Sequence, residues 1–287
     1  MLKKVSFWDN TLRKKFLEQI TILSTILSLI LIFFDIPINI KLIGGVIFFL
    51  FLSLYYIWLW WEANNLNSVV ININKSTIKI KIGDIFEELK EDEIKVIAFN
   101  EYFDTIVDDK IISKNSLNGI FINKITSGVS KEISLAEFDE LIRTDDYLND
   151  ECLLNWINDR KSGKKQKYKL GSIFEYKDYF LTAMTKFDDN NRAFLDQKEF
   201  IEFLLQFWDN IDKKYNGRTI IIPVLGTGIT RFKDKIDIEE QELLNIIIWS
   251  FKLSRIKFTY PSEIKIIIYK DKKDKINLYE IKKLENL

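Results

Sequence analysis

Two long apolar runs near the N-terminus constrain this 287-residue chain more than any other feature. Residues 19–34 carry no charge, and neither do residues 42–61. About 20 apolar residues, at about 1.5 Å of rise per residue, span the roughly 30 Å hydrocarbon core of a bilayer. A buried core hairpin rarely stays uncharged for so long, and a cleaved signal peptide is not followed at once by a second, longer run. The sequence therefore predicts a transmembrane helical hairpin within residues 1–65.

The residues around the two runs predict the orientation of this hairpin. Residues 35–41 contain the charges and the proline between the runs, so we expect a tight turn there. Five basic residues precede the first run: Lys3, Lys4, Arg13, Lys14 and Lys15. The positive-inside rule places that end in the cytoplasm, and two crossings return the chain to the same side. We therefore expect a two-pass protein of the cell inner membrane, with its N-terminus and the following domain in the cytoplasm.

The composition excludes several functional classes. Lys plus Arg and Asp plus Glu both number 42, so the chain lacks the net positive charge of a nucleic-acid-binding protein, and no nucleic-acid partner is expected. There is no histidine, which excludes Ser-His-Asp and Cys-His catalysis and histidine-based metal ligation. Cys152 is the only cysteine, which fits a reducing compartment. No metal or cofactor is expected.

Residues 66–287 alternate between predicted strands and helices. Period-two alternation around the polar pair Asn74-Lys75 predicts a β-hairpin. Further strands are predicted over residues 95–99, 179–184, 219–225 and 264–269, and helices over residues 134–157, 198–211 and 239–251. The basic segment 160–169 is predicted to be a solvated loop, with contact of its lysines with anionic lipid head groups as the alternative. This order of elements predicts an α/β fold, in which a three-layer α/β/α domain with a mixed sheet follows the hairpin.

The strongest chemical signal is the segment 223–232, which follows a predicted buried strand. Ligands of α/β sheets bind beyond the carboxyl ends of strands, and Gly226 and Gly228 would let backbone N–H groups approach an anion. Thr227 adds a hydroxyl donor, and Arg231 could pair with a phosphate. The segment therefore predicts a phosphate-binding loop, with an ordinary turn as the alternative.

Two polar residues follow other predicted strands. Asp84 could accept a hydrogen bond from the amino group of a base, or else serve a turn or a helix N-terminus. Asn100 could meet a sugar hydroxyl, or else close an Asx turn. Both interpretations stay open from the residues alone.

Taken together, residues 83–86, 97–100 and 226–232 resemble the conserved segments of the macro-domain family. The resemblance implies that Asp84 and Ile85 hold an adenine, and that Asn100 and Phe232 lie near the distal ribose. It also implies that five consecutive residues wrap a diphosphate: Gly226, Thr227, Gly228, Ile229 and Thr230. Catalytic members have a glycine-rich stretch after the asparagine, whereas this chain has residues 101–105, Glu-Tyr-Phe-Asp-Thr. That departure favours binding over hydrolysis.

A closer resemblance is to the macro-domain effectors of type II Thoeris antiphage systems. It covers the hairpin, Trp208, and residues 100–105, 187–193 and 223–232. The resemblance implies a defence effector that is not an enzyme. In such a protein the macro domain senses an ADP-ribose-derived nucleotide made by a partner TIR-domain enzyme. The protein then forms homo-oligomers and disrupts the membrane through its hairpin.

Two other functions stay open. The first is a membrane-tethered hydrolase of ADP-ribosyl groups or nucleotides, for which Asp104, Asp108 and Asp109 would be candidate carboxylates. These three could instead form a solvated acidic loop. The second is a membrane-anchored scaffold that binds another protein. Turnover of an ADP-ribosylated substrate would indicate the hydrolase, and the absence of nucleotide binding would leave the scaffold.

Overall fold

The computed structural model describes residues 5–34, 36–87, 92–127, 131–188, 190–228, 231–232, 238–282 and 284. The helices are α1 (Asn10–Phe33), α2 (Ile38–Asn64), α3 (Leu117–Thr126), α4 (Leu135–Arg143), α5 (Gln197–Lys214), α6 (Glu240–Ser254) and α7 (Leu278–Ile281). The strands are β1 (Ser68–Ile73), β2 (Ser76–Gly83), β3 (Glu93–Asn100), β4 (Leu153–Trp156), β5 (Gln166–Tyr168), β6 (Ile173–Tyr176), β7 (Tyr179–Phe187), β8 (Ala193–Leu195), β9 (Thr219–Pro223), β10 (Arg231–Phe232) and β11 (Ile264–Tyr269).

The chain forms two compact units. One contains Val70–Lys275, and the other joins Met1–Val69 to the last residues, Ile276–Leu287. The predicted boundary at residue 65 lies in the loop between α2 and β1. The C-terminal segment, Ile276–Leu287, thus belongs to the same unit as α1 and α2.

The helices α1 and α2 are a candidate transmembrane hairpin. They contain 24 and 27 residues and are long and apolar enough to cross a membrane. Their apolar side chains are exposed over most of their length, as those of lipid-facing helices are. The turn between them is shorter than predicted, because α2 begins at Ile38, directly after Pro37. Proline favours helix N-terminal positions, since its fixed φ suits the helix and its missing N–H is not needed there.

The base of the hairpin is a small hydrophobic cluster that includes Val5 near the N-terminus and Tyr279 near the C-terminus. Leu12 of α1, Leu59 and Ala63 of α2, and Tyr279 of α7 are buried together. Near the N-terminus, the Val5 carbonyl accepts a hydrogen bond from the Trp60 indole N–H over 2.9 Å. Residues near both termini therefore pack at the end of the hairpin where α1 begins and α2 ends.

Replacing Tyr279 with alanine is expected to release the C-terminal segment from this cluster. Truncation of a buried aromatic side chain costs about 2 kcal/mol or more, which would increase the open population roughly thirtyfold. Limited trypsin cleavage of the detergent-solubilised protein measures that population at the lysines near the C-terminus. Tyr260→Ala is the control, because Tyr260 is 98% exposed. Equal cleavage rates in the two variants would contradict the packing role of Tyr279.

The sheet of the larger unit is mixed, as predicted. Its described strands follow the order β1-β2-β11-β9-β3-β7-β8-β10, and β6 also pairs with β7. The pairs from β2 through β11, β9 and β3 to β7 are parallel, whereas β6 and β8 are antiparallel to β7. The predicted hairpin is confirmed, since β1 and β2 are joined at Asn74 and Lys75, which have φ values of 53° and 66°.

Helices cover both faces of the sheet, which gives three layers. Phe121 of α3 and Phe138 of α4 are buried with Ile97 and Leu181 from one face. The helices α5 and α6 pack against each other on the opposite side, where the Trp208 indole N–H donates to the Ser250 hydroxyl over 2.9 Å. Burial on both faces explains why residues 96–99 of β3 form an apolar run without alternation.

Two local predictions are wrong for the same reason. The helix predicted over residues 134–157 ends at Arg143, and β4 (Leu153–Trp156) pairs with β5 inside the segment predicted to be a solvated loop. Arg160 in that loop is buried, with 8% of its side chain exposed. The pairing of β4 with β5 and the pairing of Arg160 with Asp104 are tertiary contacts, which override the local conformational preference of the sequence.

Candidate functional site

A cleft of about 320 Å³ opens where β3, β7 and β9 end. The carboxyl ends of parallel strands meet at one edge of a sheet, so the residues that follow these strands converge. The lining includes Asn100 after β3, Phe187 at the end of β7, and Gly226, Thr227 and Gly228 after β9. The segment that leads into α3 forms the opposite wall. The structure thus brings together four of the predicted site residues.

The other predicted site residues lie elsewhere or are only partly described. Asp84 and Ile85 line a separate cavity of about 120 Å³ on the face of the sheet. The Asp84 carboxylate accepts the Phe86 N–H over 2.9 Å, which is the turn role left open above. Arg231 and Phe232 form β10, which pairs in parallel with β8. Ile229 and Thr230 lie outside the described residues.

Asn100 combines both roles that its position predicts. Its side chain belongs to a residue only 2% exposed, and its Oδ1 accepts the Tyr102 N–H over 2.9 Å, as in an Asx turn. The Nδ2 group is buried and has no hydrogen-bond partner among the described residues. A buried amide donor without a partner costs about 1–3 kcal/mol, so a ligand acceptor in the cleft would relieve this cost.

The loop after β9 has the backbone freedom that an anion-binding loop needs. Gly226 has φ +90°, and a Cβ there would lie 3.2 Å from Leu243 Cδ2. The Thr227 hydroxyl donates to the Val224 carbonyl over 2.9 Å, so its proton serves the turn rather than the cleft. A Cβ on Gly228 would meet no atom of the described residues within 4 Å, so none of these residues blocks a ligand at this part of the loop.

The opposite wall contains residues that sequence reasoning did not assign. Ser116 is the N-cap of α3, and Ser113, Leu117 and Asn118 line the cleft beside it. The N-terminus of a helix presents backbone N–H groups and a partial positive charge to an anion. The signal in the sequence was a serine directly before the apolar run 117–122, which is a helix N-cap pattern.

Arg192 is a second residue that was missed. It is exposed on the cleft lining, and its guanidinium forms no ion pair within the part of the chain that the structure describes. A guanidinium at this place can pair with a phosphate or a carboxylate of a ligand.

The three candidate carboxylates of the hydrolase alternative are already engaged. Asp104 is fully buried and pairs with Arg160, so it does not form a solvated loop. Asp108 accepts the Ile111 N–H over 2.7 Å, and Asp109 accepts the Lys114 N–H over 3.0 Å. Each carboxylate therefore holds local structure.

Glu101 lies buried beneath the cleft. One of its oxygens accepts the Phe187 N–H over 3.3 Å, and the other lies 3.2 Å from Lys167 Nζ. Burial raises the pKa of the Glu101 carboxyl, and Lys167 and the Phe187 N–H offset only part of that rise. The pKa of Glu101 is thus higher in the folded protein than in the unfolded chain. The stability linked to its protonation is therefore fully present below the ordinary glutamate pKa and is lost as the pH rises through the raised pKa.

Replacing Glu101 with glutamine is therefore expected to change stability in a pH-dependent direction. Glutamine keeps an acceptor for the Phe187 N–H and removes the buried charge. The unfolding midpoint of the variant relative to the unchanged protein should be higher at pH 7 than at pH 4. A difference between the two proteins that does not vary with pH would contradict the raised pKa.

Comparison with known proteins places the chain in a family. The family described as Thoeris protein ThsA, Macro domain, matches residues 78–269. The Thoeris protein ThsA of Bacillus amyloliquefaciens (strain Y2) is 40% identical over 220 residues, which cover 77% of this chain and 71% of that protein.

Solved macrodomains of Oceanobacillus iheyensis are similar at lower identity. One mutant has 14% identity and a TM-score of 0.46, with 77% of this chain and 95% of that chain covered. A second mutant, solved with ADPR, has 15% identity and a TM-score of 0.45, with 76% and 96% covered. The family match spans well over half of the chain, and the Bacillus relative is closely similar across most of both proteins. The chain therefore belongs to the macro-domain family of Thoeris ThsA proteins, and its α/β unit has the macro-domain fold.

Proposed function

We propose that this protein is an antiphage defence effector whose macro domain senses an ADP-ribose-derived nucleotide. The observation that carries the proposal is the Asn100 amide, which has no hydrogen-bond partner among the described residues and lies in a cleft that also contains Gly226–Gly228 and the N-terminus of α3. The amide suits a ribose hydroxyl, and the loop and the helix N-terminus suit a diphosphate. Arg192 adds a cation at the same cleft.

The remaining parts of the proposal extend the family membership, since the Bacillus relative is a Thoeris protein. A partner TIR-domain enzyme would supply the nucleotide signal. The protein would lie in the cell inner membrane as a two-pass protein, with its N-terminus and macro domain in the cytoplasm. Signal binding would drive homo-oligomerisation, and α1 and α2 would then disrupt the membrane. Coupling of this kind requires that the signal bind the assembled state more tightly than the resting state.

Sensing is favoured over hydrolysis by the state of the acidic residues. Asp104, Asp108 and Asp109 already accept hydrogen bonds from the chain itself. A general base needs a carboxylate that can reach the substrate or an attacking water. Of the three, only Asp109 lines the cleft, and its two oxygens already contact the N–H and the ammonium group of Lys114. We therefore propose that the protein binds its nucleotide without turning it over.

Calorimetric titration of the full-length protein in lipid nanodiscs tests this proposal. The titrants are ADP-ribose, NAD and amino-acid conjugates of ADP-ribose, and each mixture is then assayed for turnover. Tight binding of one compound without turnover is the expected result. Turnover would indicate the hydrolase, and the absence of binding to all of them would contradict the sensing proposal.

A further inference from the structure

The segment between β4 and β5 folds onto a buried ion pair. The Arg160 guanidinium donates to both carboxylate oxygens of Asp104, over 3.0 and 2.7 Å. The side chains of Arg160 and Asp104 are 8% and 0% exposed. The Lys164 N–H donates to the same carboxylate over 2.7 Å. The pair is therefore almost fully enclosed and uses the planar, two-pronged geometry that only arginine offers.

Gly163 shows how closely the backbone packs against this pair. It has φ +89°, and a Cβ there would lie 2.6 Å from both Arg160 Nη1 and Asp104 Oδ1. Glycine is thus required by conformation and by space at once. The backbone of the loop is therefore in close contact with the guanidinium and its carboxylate partner.

The same guanidinium also contacts a wall of the nucleotide cleft. Three residues line the cleft at the end of β7 and directly after it, and we call them the β7 wall: Phe187, Asn191 and Arg192. Arg160 Nη2 donates to Asn191 Oδ1 over 2.8 Å, and Asn191 Nδ2 donates to the Ser162 hydroxyl over 2.7 Å. Arg160 Cζ lies 5.8 Å from the centre of the Phe187 ring. Arg160 itself does not line the cleft.

Arg160 is further held from beneath by an aromatic ring. Its Cζ lies 3.8 Å from the centre of the Tyr102 ring, two residues after Asn100. Tyr102 donates its N–H to Asn100 Oδ1 over 2.9 Å. One buried side chain therefore contacts both the Asn100 turn and the β7 wall, which are adjacent parts of the cleft.

We infer that Arg160 is a positioning residue that sets the β7 wall relative to Asn100, and so governs affinity for the part of the ligand that reaches this wall. The inference rests on the proposed function, because the ligand is taken to be an ADP-ribose-type nucleotide. In that ligand the distal ribose would lie toward Asn100 and the β7 wall, whereas ADP lacks this sugar. A substitution of Arg160 should therefore weaken the binding of ADP-ribose more than the binding of ADP.

Arg160→Lys in the full-length protein in nanodiscs tests the inference. Lysine keeps the charge beside Asp104, which avoids leaving a buried carboxylate unpaired, but it cannot serve Asp104 and Asn191 together. We expect affinity for ADP-ribose to fall about tenfold, as for the loss of one hydrogen bond to a charged group, while affinity for ADP changes less than about twofold. Ser162→Ala should act in the same direction with a smaller effect. Arg143→Lys is the matched control, since Arg143 pairs with Glu140 on the surface.

Hydrogen exchange of the ligand-free protein gives a readout that does not depend on the nucleotide. The Phe187 amide is bonded to Glu101 and the Arg192 amide to Asp188, so both report the order of the β7 wall. Arg160→Lys should reduce their protection by about tenfold or more, with the protection of β3 unchanged. Wild-type affinity for ADP-ribose together with unchanged protection would overturn the inference. Failure of the unchanged protein to bind ADP-ribose, with loss of protection in the variant, would instead count against the proposed ligand alone.

Discussion

Replacing Gly228 with aspartate is expected to abolish nucleotide binding. Gly228 is the last described residue of the loop after β9, and an added Cβ meets no described atom within 4 Å, so the variant should fold normally. The new carboxylate would stand beside the proposed diphosphate. Like charges brought together at an interface cost several kcal/mol, which corresponds to a loss of affinity of at least about a hundredfold. Calorimetric titration with ADP-ribose measures the loss directly.

The matched control is Gly228→Asn, which has nearly the same size without the charge. Its affinity should stay within about tenfold of that of the unchanged protein, because asparagine adds a side chain of similar size without the negative charge. Gly226→Asp is a less informative variant, because φ +90° and the contact with Leu243 would strain the loop whatever the charge. Binding by Gly228→Asp at the affinity of the unchanged protein would refute the assignment of this loop.

Removing the membrane unit is expected to eliminate toxicity while preserving binding. The structure indicates where the chain should be cut, because the C-terminal segment belongs to the same compact unit as the hairpin. Residues 68–275 contain every strand of the described sheet and the whole cleft. Without α1 and α2, this fragment has no described helix long and apolar enough to enter a bilayer. It should bind the signal with an affinity within about twofold of the full chain, since the cleft is intact.

Growth of cells that produce the fragment together with the proposed partner, a TIR-domain enzyme, measures the loss of toxicity. The full-length chain is the positive control, and full-length Gly228→Asp separates loss of sensing from loss of the hairpin. We expect growth arrest only with the unchanged full-length chain. Arrest by the fragment would mean that α1 and α2 serve only as an anchor.

Several elements could be predicted from the sequence because their determinants are local. The apolar runs of α1 and α2 and the alternation of β1 and β2 are periodic patterns within single segments. The Ser134–Glu137 capping box at the start of α4 and the buried face of α5 are likewise set by residues three or four positions apart. The position of Gly226 after a buried strand was enough to indicate a loop at the edge of the sheet.

Other features depended on contacts between distant segments. Arg160 lies in a basic segment, and only its pairing with Asp104, 56 residues earlier, shows that it is buried. Arg192 and Ser116 are ordinary surface residues in the sequence, and the parallel order of β9, β3 and β7 brings them to one cleft. Tyr279 joins the hairpin base only because the chain returns to α2.

The sequence by itself determined the hairpin, the α/β layers and the residues that follow the strands, because hydrophobic periodicity and glycine conformation act over a few neighbouring positions. The tertiary structure decided which of those residues share a cleft. It placed Asp84 and Asn100 in different cavities, paired the Asp104 carboxylate with Arg160, and left the Asn100 amide without a partner in the part of the chain that the structure describes. The physical reason is that strand order and buried ion pairs are set by the free energy of packing the whole domain, to which local sequence patterns contribute only in part.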